Sequence, residues 1–166
     1  MAGLVDVADD LSSVVARARP ALDAIGEAES LRTRGDGTWS RRQILGHLVD
    51  SAVNNLHRFV RGQQVDELVF PGYEQRAWVD LGGYQERAWP ALVSLWAELN
   101  AQVAHVIARV PPERLATPCR IGDGPPVTLE FVARDYVHHL RHHLEQILEP
   151  ETSGGKPHGS FAEPGP

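Results

Sequence analysis

The chain has 166 residues, a formal net charge of −6 and a pI near 5.7, with 42% hydrophobic and 23% charged residues. That length supports one domain with a single core, and the acidic balance argues against a general nucleic-acid or anionic-membrane binder. A lone cysteine, Cys119, excludes an intramolecular disulfide framework. With no basic-plus-apolar leader and no uninterrupted apolar run of roughly 18 residues, the expected location is the cytoplasm.

In chain order, Leu4, Ala8, Leu11, Val15, Ala18, Leu22 and Ile25 recur at steps of three and four and predict a first amphipathic helix. Pro20 lacks a backbone donor and predicts a kink or a split within it. Gly35-Asp36-Gly37 reads as a turn. Trp39-Ser40-Arg41-Arg42-Gln43-Ile44 then carries a complete helix start: Ser40 and Gln43 form a capping box, and Trp39 and Ile44 a hydrophobic staple. The second helix continues to about Arg61, ending at Gly62. Its core stripe is Ile44, Leu45, Leu48, Val49, Ala52, Leu56 and Phe59. His47 lies off that stripe, on the most polar face, with Ser51, Asn54 and Arg58. This face is either plainly solvated or the lining of a wet cleft in which these side chains contact an anionic substrate.

Residues 62 to 89 carry the breakers Pro71-Gly72 and Gly82-Gly83 and the aromatic anchors Tyr73, Trp78 and Tyr84, and read as a long crossover with short helical turns. Pro90 suits the first turn of a third helix, whose stripe is Leu92, Leu95, Trp96, Leu99, Val103, Val106 and Val110; Pro111-Pro112 ends it. A Pro/Gly loop through Cys119 leads to Thr128, the expected cap of a fourth helix. No segment shows a convincing alternating strand pattern. Residues 1–150 therefore read as an all-α four-helix bundle, followed by a disordered tail over 151–166.

The fourth helix, DYVHHLRHHLEQI from Asp135 to Ile147, holds four of the eight histidines. Residues four apart share a helix face, so His138/His142 and His139/His143 are two candidate metal grips. Around a stripe centred on Leu140, His143 falls roughly 60° and His139 roughly 100° away, whereas His138 and His142 fall roughly 160° away. The first pair flanks the core and the second points to water. Two histidines rarely hold a metal alone, so a third ligand is expected from elsewhere in the chain.

The second helix, WSRRQILGHLVDSAVNN, and the last one resemble the DinB-like superfamily of DNA-damage-inducible-protein type, from about residue 4 to 150. The family signature, one histidine early in helix two and H-x-x-H-H-x-x-Q-I in the last helix, matches His47 and then His139, His142, His143, Gln146 and Ile147. The resemblance implies a four-helix bundle with a long crossover between helices two and three. It also implies a divalent metal held by His47, His139 and His143. Helix geometry selects the last two; the place of His47 rests on the resemblance. Three imidazoles suit Zn²⁺ or Ni²⁺ and leave positions open, and Asp50, Asp135 and Glu145 are candidates to orient the ligands.

Members of the family are associated with thiol transfer and related mycothiol- or bacillithiol-dependent chemistry. Resemblance therefore implies a metal-dependent enzyme that moves a low-molecular-weight thiol onto an electrophile; the polar face of Ser51, Asn54 and Arg58, read from the helix itself, is the expected place of the substrate. The alternatives are a metal-dependent hydrolase and a non-catalytic, stress-related binding protein. Expected partners are a small-molecule substrate, neither nucleic acid nor membrane, and a second copy if the protein dimerises. Cys119 reads as a buried, unreactive thiol, His57 and His105 as surface or interface residues, His158 as part of the tail, and Trp39, Trp89 and Trp96 as packing residues.

Overall fold

A computed structural model describes residues 3–33 and 35–149. The expected tail lies outside these residues. Four long helices carry the fold: α1 (Val5–Asp23), α3 (Arg41–Gly62), α5 (Trp89–Ala108) and α6 (Leu129–Leu148), with the short α2 (Glu27–Ser30) and α4 (Gln75–Gly82) between them. Pro20 does not split α1, which runs through it as one helix. Both Pro20 and Ala16 are exposed, so water can satisfy the carbonyl that loses its donor.

The capping box forms at α3. Ser40 Oγ accepts from the Gln43 backbone N–H at 3.1 Å, and Gln43 Oε1 accepts from the Ser40 N–H at 3.0 Å. Pro90 sits in the first turn of α5, and Thr128 Oγ1 caps α6 by accepting from the Phe131 N–H at 3.1 Å. Each long helix packs on two others, giving the cyclic order α1–α5–α3–α6. Consecutive long helices α1 and α3 thus stand diagonally, as do α5 and α6, which is why long connections are needed. Among the described residues, α5 alone is long and apolar enough to cross a membrane. Here it is a core helix, with Trp89, Leu92, Val93, Trp96, Val103 and Ile107 buried.

A small sheet accompanies the helical bundle, in segments that show no alternating pattern in the sequence. β1 (Leu68–Phe70) pairs in parallel with β2 (Pro118–Ile121), which pairs antiparallel with β3 (Val127–Thr128). Strands of two to four residues are too short for period-two alternation to register. They tie the crossover to the α5–α6 loop and deliver Thr128 to its capping position.

One contact sets the relation between α3 and α6. The Arg41 guanidinium donates through Nε to the Ile147 carbonyl at 2.9 Å, satisfying a C-terminal acceptor of α6 with a cation. The start of α3 is thereby pinned to the end of α6. His47 lies six residues into α3, and His143 and His139 lie four and eight residues before Ile147. At 1.5 Å per residue all three reach comparable depths, roughly 6–12 Å from the pinned end.

Candidate metal centre

His47 of α3 and His139 and His143 of α6 meet at that depth. Their three candidate ligand nitrogens lie within 4.8 Å of one another. The rings are mutually edge-on, at 76° for His47–His139, 78° for His47–His143 and 77° for His139–His143, with centroids 4.5 to 5.1 Å apart. Three planes meeting in this way form a corner whose nitrogens converge. His47 Nε2 and His139 Nε2 stand 3.2 Å apart. A tetrahedral ion at about 2.0–2.1 Å from each nitrogen would hold them about 3.3–3.4 Å apart; the His47–His139 pair matches that spacing, and the three neutral imidazoles are a donor set that suits a divalent ion.

His143 is oriented from behind. Its Nδ1 lies 2.8 Å from Gln146 Oε1 and donates to it, leaving the Nε2 lone pair for the cluster. The other end of the same amide, Gln146 Nε2, donates to His142 Nε2 at 3.0 Å. An amide thus does for His143 what a carboxylate was expected to do. Of the three acidic candidates, Asp135 and Glu145 are exposed, and only Asp50 is buried. The signal for Gln146 was its place in the family motif.

His138 and His142 are exposed, His139 half-buried and His143 buried, 4% exposed. The division into inward and outward pairs follows the apolar stripe. The position of His47 does not follow from its own helix: off the stripe, it is nevertheless 0% exposed. Trp39 lies against its ring at 5.3 Å between centroids, and the crossover packs over the polar face of α3. Ser51, Asn54 and Arg58 are buried as well, so this face is interior rather than solvated. Two open cavities, of 840 and 550 Å³, lie beside Val60 and Val69 and between α1 and α6.

Tyr84 is the lid of this face. A Cβ on Gly46 would stand 2.2 Å from the Tyr84 ring, and one on Gly82 would stand 2.6 Å from it. Two glycines therefore form a slot that only a bare backbone provides, and Gly83, at φ 63°, turns the chain into it. The Tyr84 hydroxyl then donates to Asp50 Oδ1 at 2.5 Å. Burial pushes the Asp50 carboxyl up to about 6, against the opposing effect of that hydrogen bond. Burial and the neighbouring carboxylate raise Tyr84 well above the ordinary phenol range. Sequence reasoning took Tyr84 as a packing anchor and missed this pairing.

Cys119 is fully buried and donates weakly to the Thr117 carbonyl at 3.5 Å. Burial raises its thiol to about 11, only partly offset by Arg58, so it is an inert core thiol.

A four-helix bundle whose second and fourth long helices close three imidazoles into one corner defines a class: helical proteins built to hold a single ion between helices. The chain belongs to the DinB superfamily, whose model matches residues 10–147. It is 24% identical over 140 residues to "Putative metal-dependent hydrolase YfiT" of Bacillus subtilis, covering 84% of this chain and 79% of that protein. It is also 24% identical over 142 residues to a protein of the same description from Halalkalibacterium halodurans, covering 84% and 81%. The solved YfiT structure superposes with a TM-score of 0.75 at 23% identity, over 86% of this chain and 82% of that one. The mycothiol-dependent maleylpyruvate isomerase superposes at 0.68 with 12% identity, over 89% and 63%. Both share the fold.

Proposed function

We propose that His47, His139 and His143 hold one divalent ion, Zn²⁺ or Ni²⁺, and that the protein is a metal-dependent enzyme transferring a low-molecular-weight thiol to an electrophilic substrate. The observation that carries this reading is the convergence of three imidazoles in a corner that leaves further coordination positions to small molecules. Such an ion supplies Lewis acidity, which makes a thiol beside it a nucleophile near neutral pH.

The chain's own residues hold and orient. Gln146 fixes the His143 tautomer, Trp39 and Tyr84 close the polar face of α3 against water, and Ser51, Asn54 and Arg58 line the place of the second reactant. The single cysteine is sealed in the core, so the nucleophile must come from outside the chain. The name of the mycothiol-dependent isomerase, a protein of the same fold, supports a thiol. Hydrolysis is the second reading, favoured by the names of the sequence relatives; it uses the same ligands with water as nucleophile.

The test is turnover of the metal-loaded protein with 1-chloro-2,4-dinitrobenzene and monochlorobimane, each with and without added thiols, beside p-nitrophenyl acetate without thiol. Transfer requires both metal and thiol, with the thiol found in the product. Ester cleavage that ignores thiol replaces it with the hydrolase reading, and no turnover in any arm moves the protein to the binding class. Elemental analysis of His47→Ala, His139→Ala and His143→Ala checks the ligands separately; near-stoichiometric metal in all three rejects them.

A further inference from the structure

Arg58 is 4% exposed, yet its Nε and Nη2 have no hydrogen-bond partner among the described residues. Its one hydrogen bond is a long one, from Nη1 to Asn55 Oδ1 at 3.4 Å, and no carboxylate pairs with it among the described residues. The Phe70 ring lies 5.4 Å from the guanidinium carbon, and Tyr73 and Cys119 are its other electrostatic neighbours. A guanidinium cannot discharge itself as a lysine can, so the charge is buried without compensation, an arrangement folding alone does not favour. Burial presses its proton affinity down.

The unpaired edge has a definite shape. Nε–H and one Nη2–H form the parallel fork that meets both oxygens of one carboxylate side-on. The contact with Asn55, three residues back, shows that the guanidinium folds toward the start of α3. Asn55 is eight residues from His47, about 12 Å along the helix axis. Ser51 and Asn54 lie between.

We propose that Arg58 is the anchor for a carboxylate of a small organic ligand, gripped through Nε and Nη2, whose reacting end lies about 12 Å away at the histidine corner. The inference rests on reading this face of α3 as the substrate face, but not on the identity or presence of the metal. It names the substrate class: an elongated organic carboxylate rather than a neutral molecule.

The probes are hexanoate and its uncharged counterpart hexanamide, titrated calorimetrically into the full-length metal-loaded protein and into Arg58→Met. Wild type should bind the acid at least about 10-fold tighter than the amide, the usual worth of a charged hydrogen-bond pair. Arg58→Met should lose that preference while melting no lower than wild type without ligand, since it removes an unpaired buried charge. Equal binding of acid and amide by wild type, or binding of neither, overturns the proposal. So does a preference that persists in Arg58→Met, which would place the carboxylate on the metal. A marked fall in melting temperature shows Arg58 to be a structural residue and also overturns it. Arg58→Gln, measured beside it, should lose the same preference. None of these results depends on turnover, so failure here leaves the thiol-transfer reading to its own test.

Discussion

Two arginines of α3, Arg42 and Arg58, are each 4% exposed and yet stand in opposite conditions. Arg42, in the first turn, gives Nη1 to the carbonyls of Gln85 at 3.2 Å and Arg87 at 2.7 Å. Its Nη2 and Nε reach Ser30 Oγ at 2.7 and 3.1 Å, and Nη2 also reaches the Glu27 carboxylate. It knits α2, α3 and the chain before α5 together. Arg58, in the last turn and a half, is met by one amide oxygen and one aromatic ring. The same side chain on the same helix is therefore mortar at one end and an unfilled socket at the other. Burial of a charge says little about its role until its donors are traced to acceptors.

Removing the two guanidiniums should break this comparison most sharply. Arg42→Met leaves carbonyls and a carboxylate stranded and is expected to destabilise by about 3–5 kcal/mol in urea melts, against no loss for Arg58→Met. Equal losses would erase the distinction. Next comes the lid between them. Gly46→Ala drives a methyl into the Tyr84 ring, and expulsion of the ring should cost about 3 kcal/mol; Gly46→Ser should fare no better, and an unchanged melt would mean that Tyr84 does not occupy its slot.

Asp50 provides a pH-dependent version of the same contrast. Burial raises its carboxyl from the ordinary carboxylate range to about 6 in the fold, so the native state binds the proton more tightly than the unfolded chain. That leaves the fold unpenalised below about pH 4, progressively penalised as pH rises, and fully penalised above about 6. Asp50→Asn should therefore stabilise the chelator-treated protein by about 1–2 kcal/mol at pH 8, with the two melting curves converging near pH 4. A constant difference across pH would assign the effect to packing instead. The smallest effect is expected where the side chains are already in water: His138→Ala with His142→Ala should change stability by less than about 0.5 kcal/mol and leave metal content near that of wild type. Metal loss equal to that of His139→Ala would place the outward pair in the site.

The helices, their caps and the inward pair of histidines were legible because they follow from local rules. Spacing of three and four sets a buried face, Ser40 with Gln43 announces the start of α3, and rotation by about 100° per residue separates His139 and His143 from His138 and His142. The DinB-like signature supplied His47, which its own helical periodicity places on the wrong side. What the tertiary structure alone decided is what covers that side. The Gly46–Gly82 slot seats Tyr84, the crossover and a strand too short to read from alternation close over α3, and a face that looks solvated becomes interior. Periodicity reports only how a helix meets the core it shares with neighbouring helices. It carries no information about a loop folding back onto the opposite face, because those contacts depend on residues dozens of positions away. For the same reason Arg42 and Arg58 read alike along the chain, and only the three-dimensional arrangement of acceptors separates the satisfied arginine from the waiting one.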